Sequence, residues 1–298
     1  MYFMIDTVVN TKDIKRADVV ILSAPYERGV SFMGGTAKAP KKILSCLNSN
    51  LELFDVELCR TPAKKIKTAH QEISGLKKLT GEKAVKKISS EYQKLFNNGK
   101  LIIMLGGEHT VSFGVLEAIS KKENPKDITI LQLDAHQDLR NDNSDYSKKK
   151  EKFAHSCVMR RIHELGFPIV QVGIRTYSKY EYEYWQKNKK TITVFEWSNK
   201  KIPISKILKS IKTKKIYITI DVDGFDPAYM PGTGTPVQGG MEWYYGLDLI
   251  EKAINGRELV GADIMEVSPM RDSVLTEYGA AFICYKIITH KFKKKLIS

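Results

Sequence analysis

Residues 130–138 read Ile-Leu-Gln-Leu-Asp-Ala-His-Gln-Asp. The first half is apolar, and with Ile128 ahead of it, Ile130, Leu131 and Leu133 spell a short buried strand. The second half presents Asp134, His136 and Asp138. Alternate side chains of an extended chain share a face, so these three point one way at the strand's C-terminal end. Two carboxylates and an imidazole converging there are a metal-ligand set. Acidic loops are common, and this triplet gains weight only from its counterparts.

Two other stretches supply them. Ile-Tyr-Ile-Thr-Ile-Asp-Val-Asp (216–223) is a second apolar strand ending in Asp221 and Asp223, again spaced by two. Leu-Ile-Ile-Met-Leu (101–105) runs into Gly106-Gly107-Glu108-His109. In open parallel α/β sheets, sites form at the carboxyl ends of strands. The candidate ligands are therefore His109, Asp134, His136, Asp138, Asp221 and Asp223. They exceed what one tetrahedral zinc needs. Carboxylates in this excess, with two imidazoles, suit a pair of divalent ions of the manganese type with bridging carboxylates.

Outward from these stretches, strands and helices alternate along the chain. Strands are expected at 19–22, 101–105, 128–133, 169–174, 192–195, 216–221 and 259–265, and a variable strand within 50–80. Helices are expected at 39–47, from about 83 to 96, and at 111–120, 157–165, 179–187, 203–211, 242–254 and 275–289. This predicts one domain over residues 1–298, a three-layer α/β/α sandwich around a mostly parallel sheet. No linker, repeat or low-complexity segment divides it. The polar stretch 139–152 reads as a loop beside the centre, which makes it the candidate specificity loop. Residues 224–240, dense in Gly and Pro, form a loop too long to be a mere connection, with Asp226 as its anchor. His70 and His163 read as surface histidines, the aromatics of 179–187 as packing groups, and the residues after His290 as a basic tail.

Composition narrows the class. Hydrophobic residues make up 42% of 298, ample for a core, and no apolar run approaches the roughly 18 residues that span a membrane. The opening Met-Tyr-Phe-Met-Ile-Asp lacks a basic segment and a long apolar stretch, so no signal peptide is expected. Cys46, Cys59, Cys157 and Cys284 are scattered without a CxxC pair, as buried free thiols of a reducing cytoplasm would be. The net charge is +14. It is carried mostly by lysines in short runs, without an arginine-rich arm or a basic-aromatic motif, which reads as a solvated exterior rather than a nucleic-acid surface.

The motifs GGEHT (106–110), DAHQD (134–138), DVDGFDP (221–227), TGTPVQGG (233–240) and EVSP (266–269), in this order and spacing, resemble the ureohydrolases: agmatinases, arginases and their relatives. Glu108 departs from the Asp that many relatives carry. The resemblance implies an arginase-like fold and two Mn2+ per subunit, with Asp134 and Asp221 bridging. His109 and Asp138 would complete one ion's site, and His136 and Asp223 the other. It further implies that Asp138 holds the bridging hydroxide, His155 shuttles protons, Glu266 pairs with a substrate guanidinium and Thr235 lines its pocket. A homotrimer or homohexamer is implied too. Leu139-Arg140 and the run Ala154–Arg161 look like the shorter agmatinases. Agmatine, cleaved to putrescine and urea in polyamine biosynthesis, is therefore the expected substrate. Aminopropylagmatine, guanidinobutyrate and arginine stay open.

Two rival classes make different predictions. A deacetylase-type amidohydrolase would hold a single zinc, and the six-ligand set argues against it. A non-catalytic, lysine-rich binding protein would release no urea and would bind nucleic acid in a salt-sensitive way. The complete ligand set with His155 and Glu266 argues against that.

Overall fold

Stretches of five to eight residues, apolar in all but the polar β2, form eight strands in the computed structural model, which describes residues 7–96 and 99–297. They are β1 (Val19–Ala24), β2 (Thr68–Glu72), β3 (Leu101–Gly106), β4 (Ile128–Leu133), β5 (Ile169–Ile174), β6 (Ile192–Glu196), β7 (Lys215–Asp221) and β8 (Glu258–Met265). They form one sheet in the order β2-β1-β3-β8-β7-β4-β5-β6. Every pairing in it is parallel, from Val19 beside Thr68 at one end to Ile169 beside Ile192 at the other. "Mostly parallel" was thus too cautious.

A parallel sheet is covered on both faces, and the strands alternate their contacts accordingly. Val19, Ile21, Ile103, Leu105, Leu131 and Ile218 join one core with helices α1 (Ala39–Ser49), α8 (Trp243–Asn255) and α9 (Leu275–Lys291). Val20, Leu22, Ile102, Met104, Ile130 and Tyr217 join the other, against α3 (Gly81–Phe96), α4 (Thr110–Ser120) and α5 (Val158–Glu164). The inward stripe of α3 is the one its periodicity predicts: Ala84, Val85, Ile88, Tyr92 and Leu95 are buried. Shorter helices include α2 (Pro62–Lys65), α6 (Lys179–Lys187) and α7 (Ile204–Ser210).

Several surface expectations need correction. His70 lies on β2, half-buried, with Nε2 2.9 Å from the Ser23 hydroxyl. His163 is half-buried between the Tyr184 hydroxyl at 2.6 Å and Thr191 at 2.8 Å. Arg161 on α5 is buried despite its charge. Cys59 is exposed and Cys46 half-buried, while Cys157 and Cys284 are buried. Tyr180 and Tyr182 of α6 face solvent. The basic tail continues as helix: α9 extends to Lys291, and α10 (Lys293–Ile297) follows and buries Leu296. The tail's lysines reach acceptors on the body of the domain: Lys291 Nζ donates to the Leu259 carbonyl at 3.0 Å and Lys295 Nζ to Asp18 Oδ1 at 2.9 Å. Among the described residues no helix is long and apolar enough to cross a membrane.

Candidate metal centre and active site

The four central strands β3, β8, β7 and β4 are immediate neighbours. His109 follows β3, Glu266 follows β8, Asp221 ends β7 with Asp223 in the next turn, and Asp134, His136 and Asp138 follow β4. All the predicted ligands thus meet at the carboxyl edge of one sheet. The backbone there is tightly packed. A Cβ on Gly173, at φ +99°, would stand 2.7 Å from the Asp134 carbonyl oxygen, and one on Gly224 would stand 2.6 Å from the Asp134 nitrogen. Asp138 and Glu266 themselves adopt left-handed φ values of 53° and 61°, a conformation that costs a non-glycine residue of order 1–3 kcal/mol and clusters at functional sites.

His109 is fully buried. Its Nδ1 points among three carboxylates: Asp138 Oδ2 at 3.2 Å, Asp134 Oδ2 at 3.3 Å and Asp221 Oδ2 at 3.5 Å. None of these contacts has hydrogen-bond geometry, so Nδ1 has no partner. His136 Nδ1 lies 3.0 Å from Asp223 Oδ2 and 3.6 Å from Asp134 Oδ1. Asp134 therefore spans two groups, one with His109 and Asp138 and one with His136 and Asp223. Asp221 reaches the first group through His109, and its other oxygen accepts the Asp223 amide at 2.9 Å.

The electrostatics is that of a site lacking positive charge. Burial and the neighbouring Asp134 charge push Asp138 up to about 7. Burial and the carboxylates of Asp223 and Asp134 push Asp221 well above the usual range. Burial opposes a charged His109, yet the surrounding aspartates outweigh it and hold a proton there. The same holds for His136 beside Asp223 and Asp134. Among the described residues no lysine or arginine side chain pairs with these aspartates. A divalent cation replaces such protons, because metal binding requires deprotonated ligands. The unpartnered Nδ1 and the surplus of carboxylates therefore fit the two-ion reading.

The remaining predicted residues surround the cluster. A cavity of about 280 Å³ is lined by His136, Asp138, His155 and Thr235, together with Tyr146 and Arg140. Thr235 donates to Asp223 Oδ2 at 3.2 Å. His155 Nδ1 is 3.9 Å from Glu266 Oε1, and Tyr146 meets the His155 ring edge-on. Burial, with His136 and His109 adding to it, pushes His155 down to about 3, away from the near-neutral value that a proton shuttle suggested. Glu266 is buried, does not line the cavity, and accepts the His109 amide at 2.7 Å. Asp226 anchors the 224–240 loop by accepting the amides of Ala228, Gly239 and Gly240.

Sequence reading passed over several contributors. Glu108 is buried and clamps the glycine-rich loop by accepting the amides of Arg28 and Gly29 at 2.9 and 2.6 Å, and burial pushes its carboxyl up to about 7. Arg175 donates to the carbonyls of Gly173, Asp223, Phe225 and Val237, tying the Gly- and Pro-rich loop to the strand ends. Glu181 caps α6 and accepts the Leu139 amide at 3.1 Å. A second cavity of about 520 Å³ adjoins the first through Arg140 and Ser178 and is lined by Asp142, Asp145, Tyr180 and Glu183.

The parallel sheet gathers carboxylates and imidazoles at adjacent strand ends, a donor set suited to divalent cations. Residues 17–289 match the Arginase family, and the chain belongs to it. It is 34% identical over 284 residues to an N(1)-aminopropylagmatine ureohydrolase of Synechocystis, covering 91% of this chain and 88% of that one. An agmatinase of Bacillus anthracis is 31% identical over 261 residues, with 87% and 86% covered. The agmatine ureohydrolase structure of Thermoplasma volcanium superposes with a TM-score of 0.82 at 27% identity, over 99% of this chain and 97% of the other. The protein is thus a hydrolase of the Arginase family, and it has the arginase-like three-layer fold.

Proposed function

We propose that the protein hydrolyses agmatine to putrescine and urea with two manganese ions per subunit. His109, Asp134, Asp138 and Asp221 would hold one, and Asp134, His136, Asp221 and Asp223 the other. When bound, the ions would supply a bridging water acidified to near neutrality and so a hydroxide nucleophile. The observation that carries this reading is the unpartnered, buried His109 Nδ1 among three carboxylates, with a second histidine–carboxylate group sharing Asp134.

The chain's own residues would do the rest. Glu266 would hold the guanidinium, with the His109 amide bonded to its Oε1 fixing its orientation. Asp138 would accept the nucleophile's hydrogen bond and take up its proton as the C–O bond forms. That proton would pass to the leaving nitrogen as the C–N bond breaks, giving urea and the free amine. His155, neutral in its buried setting, would pass that proton along from its Nε2, which is buried and unpartnered. Thr235, fixed by Asp223, would border the guanidinium. We place the enzyme in the cytoplasm, in polyamine synthesis, as a homotrimer or homohexamer, a state that light scattering reads.

A longer substrate is the second reading, because the Synechocystis relative is named for aminopropylagmatine. The cavity beyond Arg140 and Ser178 carries Asp142, Asp145 and Glu183, which are paired with Lys150, Arg140 and Lys179, so a further ammonium there would displace a resident cation. Urea release from agmatine, aminopropylagmatine, guanidinobutyrate and arginine, offered in parallel to manganese-loaded protein, tests both. Preference for agmatine supports the main reading. Preference for aminopropylagmatine moves the substrate and keeps the chemistry. No urea from any overturns the guanidinium assignment.

A further inference from the structure

One buried polar group is used by nothing described so far. Asp263 lies in the middle of β8, fully buried, in a run that is otherwise apolar. A lone carboxylate there is costly unless it is hydrogen-bonded. It accepts the Tyr217 hydroxyl on Oδ2 at 2.8 Å and the Thr219 hydroxyl on Oδ1 at 2.6 Å. Thr219 is buried on the neighbouring β7, and its Oγ1 also stands 2.8 Å from His109 Nε2 and 3.4 Å from Ser112 Oγ.

The direction of this chain follows from counting protons. A threonine hydroxyl has one proton and two lone pairs. A carboxylate only accepts, so the single Thr219 proton goes to Asp263. The Thr219 lone pairs then receive Ser112 and His109, and the His109 contact requires a proton on Nε2. A neutral imidazole protonated at Nε2 has its lone pair on Nδ1, the atom that faces Asp134, Asp138 and Asp221 without a partner.

We propose that Asp263, acting through Thr219, is a positioning residue that fixes His109 in the Nε2–H tautomer and so presents its Nδ1 lone pair to a divalent cation. This rests on the metal-centre reading above. Partners of this kind fix the ring and raise ligand basicity, and their loss lowers metal affinity roughly tenfold to a hundredfold. Asp263→Asn is the informative change, because an amide nitrogen facing Thr219 would reverse the chain and drive the His109 proton onto Nδ1.

The test measures Mn2+ binding by calorimetry and by electron paramagnetic resonance of the loaded protein. The variants are Thr219→Val, Thr219→Ser, Asp263→Asn and Tyr217→Phe. We expect Thr219→Val and Asp263→Asn to weaken one of two ions about tenfold to a hundredfold and to erase the coupled two-manganese signal. Thr219→Ser, which keeps the hydroxyl, should restore both, and Tyr217→Phe should bind nearly as wild type. Wild-type affinity and coupling in Thr219→Val and Asp263→Asn would overturn the proposal. So would a Thr219→Ser protein as weak as Thr219→Val. If the wild type binds no Mn2+, the metal-centre reading itself falls and the proposal with it. Nitrogen-detected NMR of the Zn2+-loaded wild type reads the tautomer without any variant. A proton on Nε2 of His109 is expected, and a proton on Nδ1 would overturn the assignment.

Discussion

Among the described residues two clusters bring acids and histidine within ligand distance, one buried at the strand ends and one running from exposed Glu57 to buried His290, and only the first is built for a metal. At the strand ends, Asp134, Asp138, Asp221 and Asp223 face His109 and His136, with no lysine or arginine side chain paired to them among the described residues. Between α8, α9 and the segment around residue 55, Glu57, Glu251 and His290 also lie within ligand distance of one another. There the charge is already balanced. Lys286 Nζ pairs with Asp55 at 2.9 Å and Glu57 at 2.8 Å, and Lys293 Nζ reaches Glu251 at 3.3 Å. An ion at that second cluster would have to displace ammonium groups, whereas an ion at the first replaces only protons. Ligand distance alone therefore does not make a metal site. The source of compensating charge does.

The largest expected effect is at the open cluster. Asp134→Asn removes a carboxylate shared by both groups. It should abolish nearly all urea release and the manganese-dependent gain in thermal stability, a gain of about 2.7 kcal/mol at a hundredfold excess over Kd. An undiminished shift would break the two-ion reading. At the closed cluster, Lys286→Met leaves Asp55 buried without its cation. Denaturant unfolding should show a loss of about 3–5 kcal/mol, with manganese content unchanged. A cost near zero would mean that the ion pairs do not close that cluster.

Glu266→Gln should be milder than Asp134→Asn. It should keep both ions and lower kcat/KM by tenfold to a hundredfold, the loss of about 1.5–3 kcal/mol expected for one charged hydrogen bond. Equal loss of metal would place Glu266 with the ligands instead. The smallest effect concerns pH. Burial, and then Lys286 nearby, holds His290 below its ordinary value of 6.5 despite the Glu251 charge. The unfolded chain therefore takes up this proton first as pH falls. Stability from His290 is complete above about 6.5 and is lost as pH drops below it. His290→Gln should flatten the acid side of the stability profile, read from melting temperatures at pH 5 to 7, and an unchanged slope would remove His290 from that role.

Much of this was legible because period and polarity agree. The apolar runs 101–105, 128–133 and 216–221 end in Asp or His, and parallel pairing brought those ends together without any other information. The spacing of two in Asp134, His136 and Asp138 and in Asp221 and Asp223 marked the right strand ends for a different reason than strand alternation, since the first three lie beyond β4 and Asp223 lies in the turn after β7. Long-range polar pairing was not legible. Glu108 reaches back to the amides of Arg28 and Gly29, and Arg175 spans to Val237, contacts no local pattern encodes. His155 looked like a near-neutral shuttle because its surroundings were invisible in sequence, and burial moved it to about 3. His70 and His163 looked exposed for the same reason, until packing gave each a hydroxyl partner. The left-handed backbone of Asp138 and Glu266 also left no mark, since neither residue type demands it.

Equilibrium binding of Mn2+ to the metal-free wild-type protein, counted per chain, tests the central claim most directly. The account predicts two ions per chain, both lost or weakened when Asp134 becomes Asn. One ion or none would contradict the paired centre at the strand ends. A third tight ion, abolished by His290→Gln, would contradict the distinction between the open cluster and the closed one.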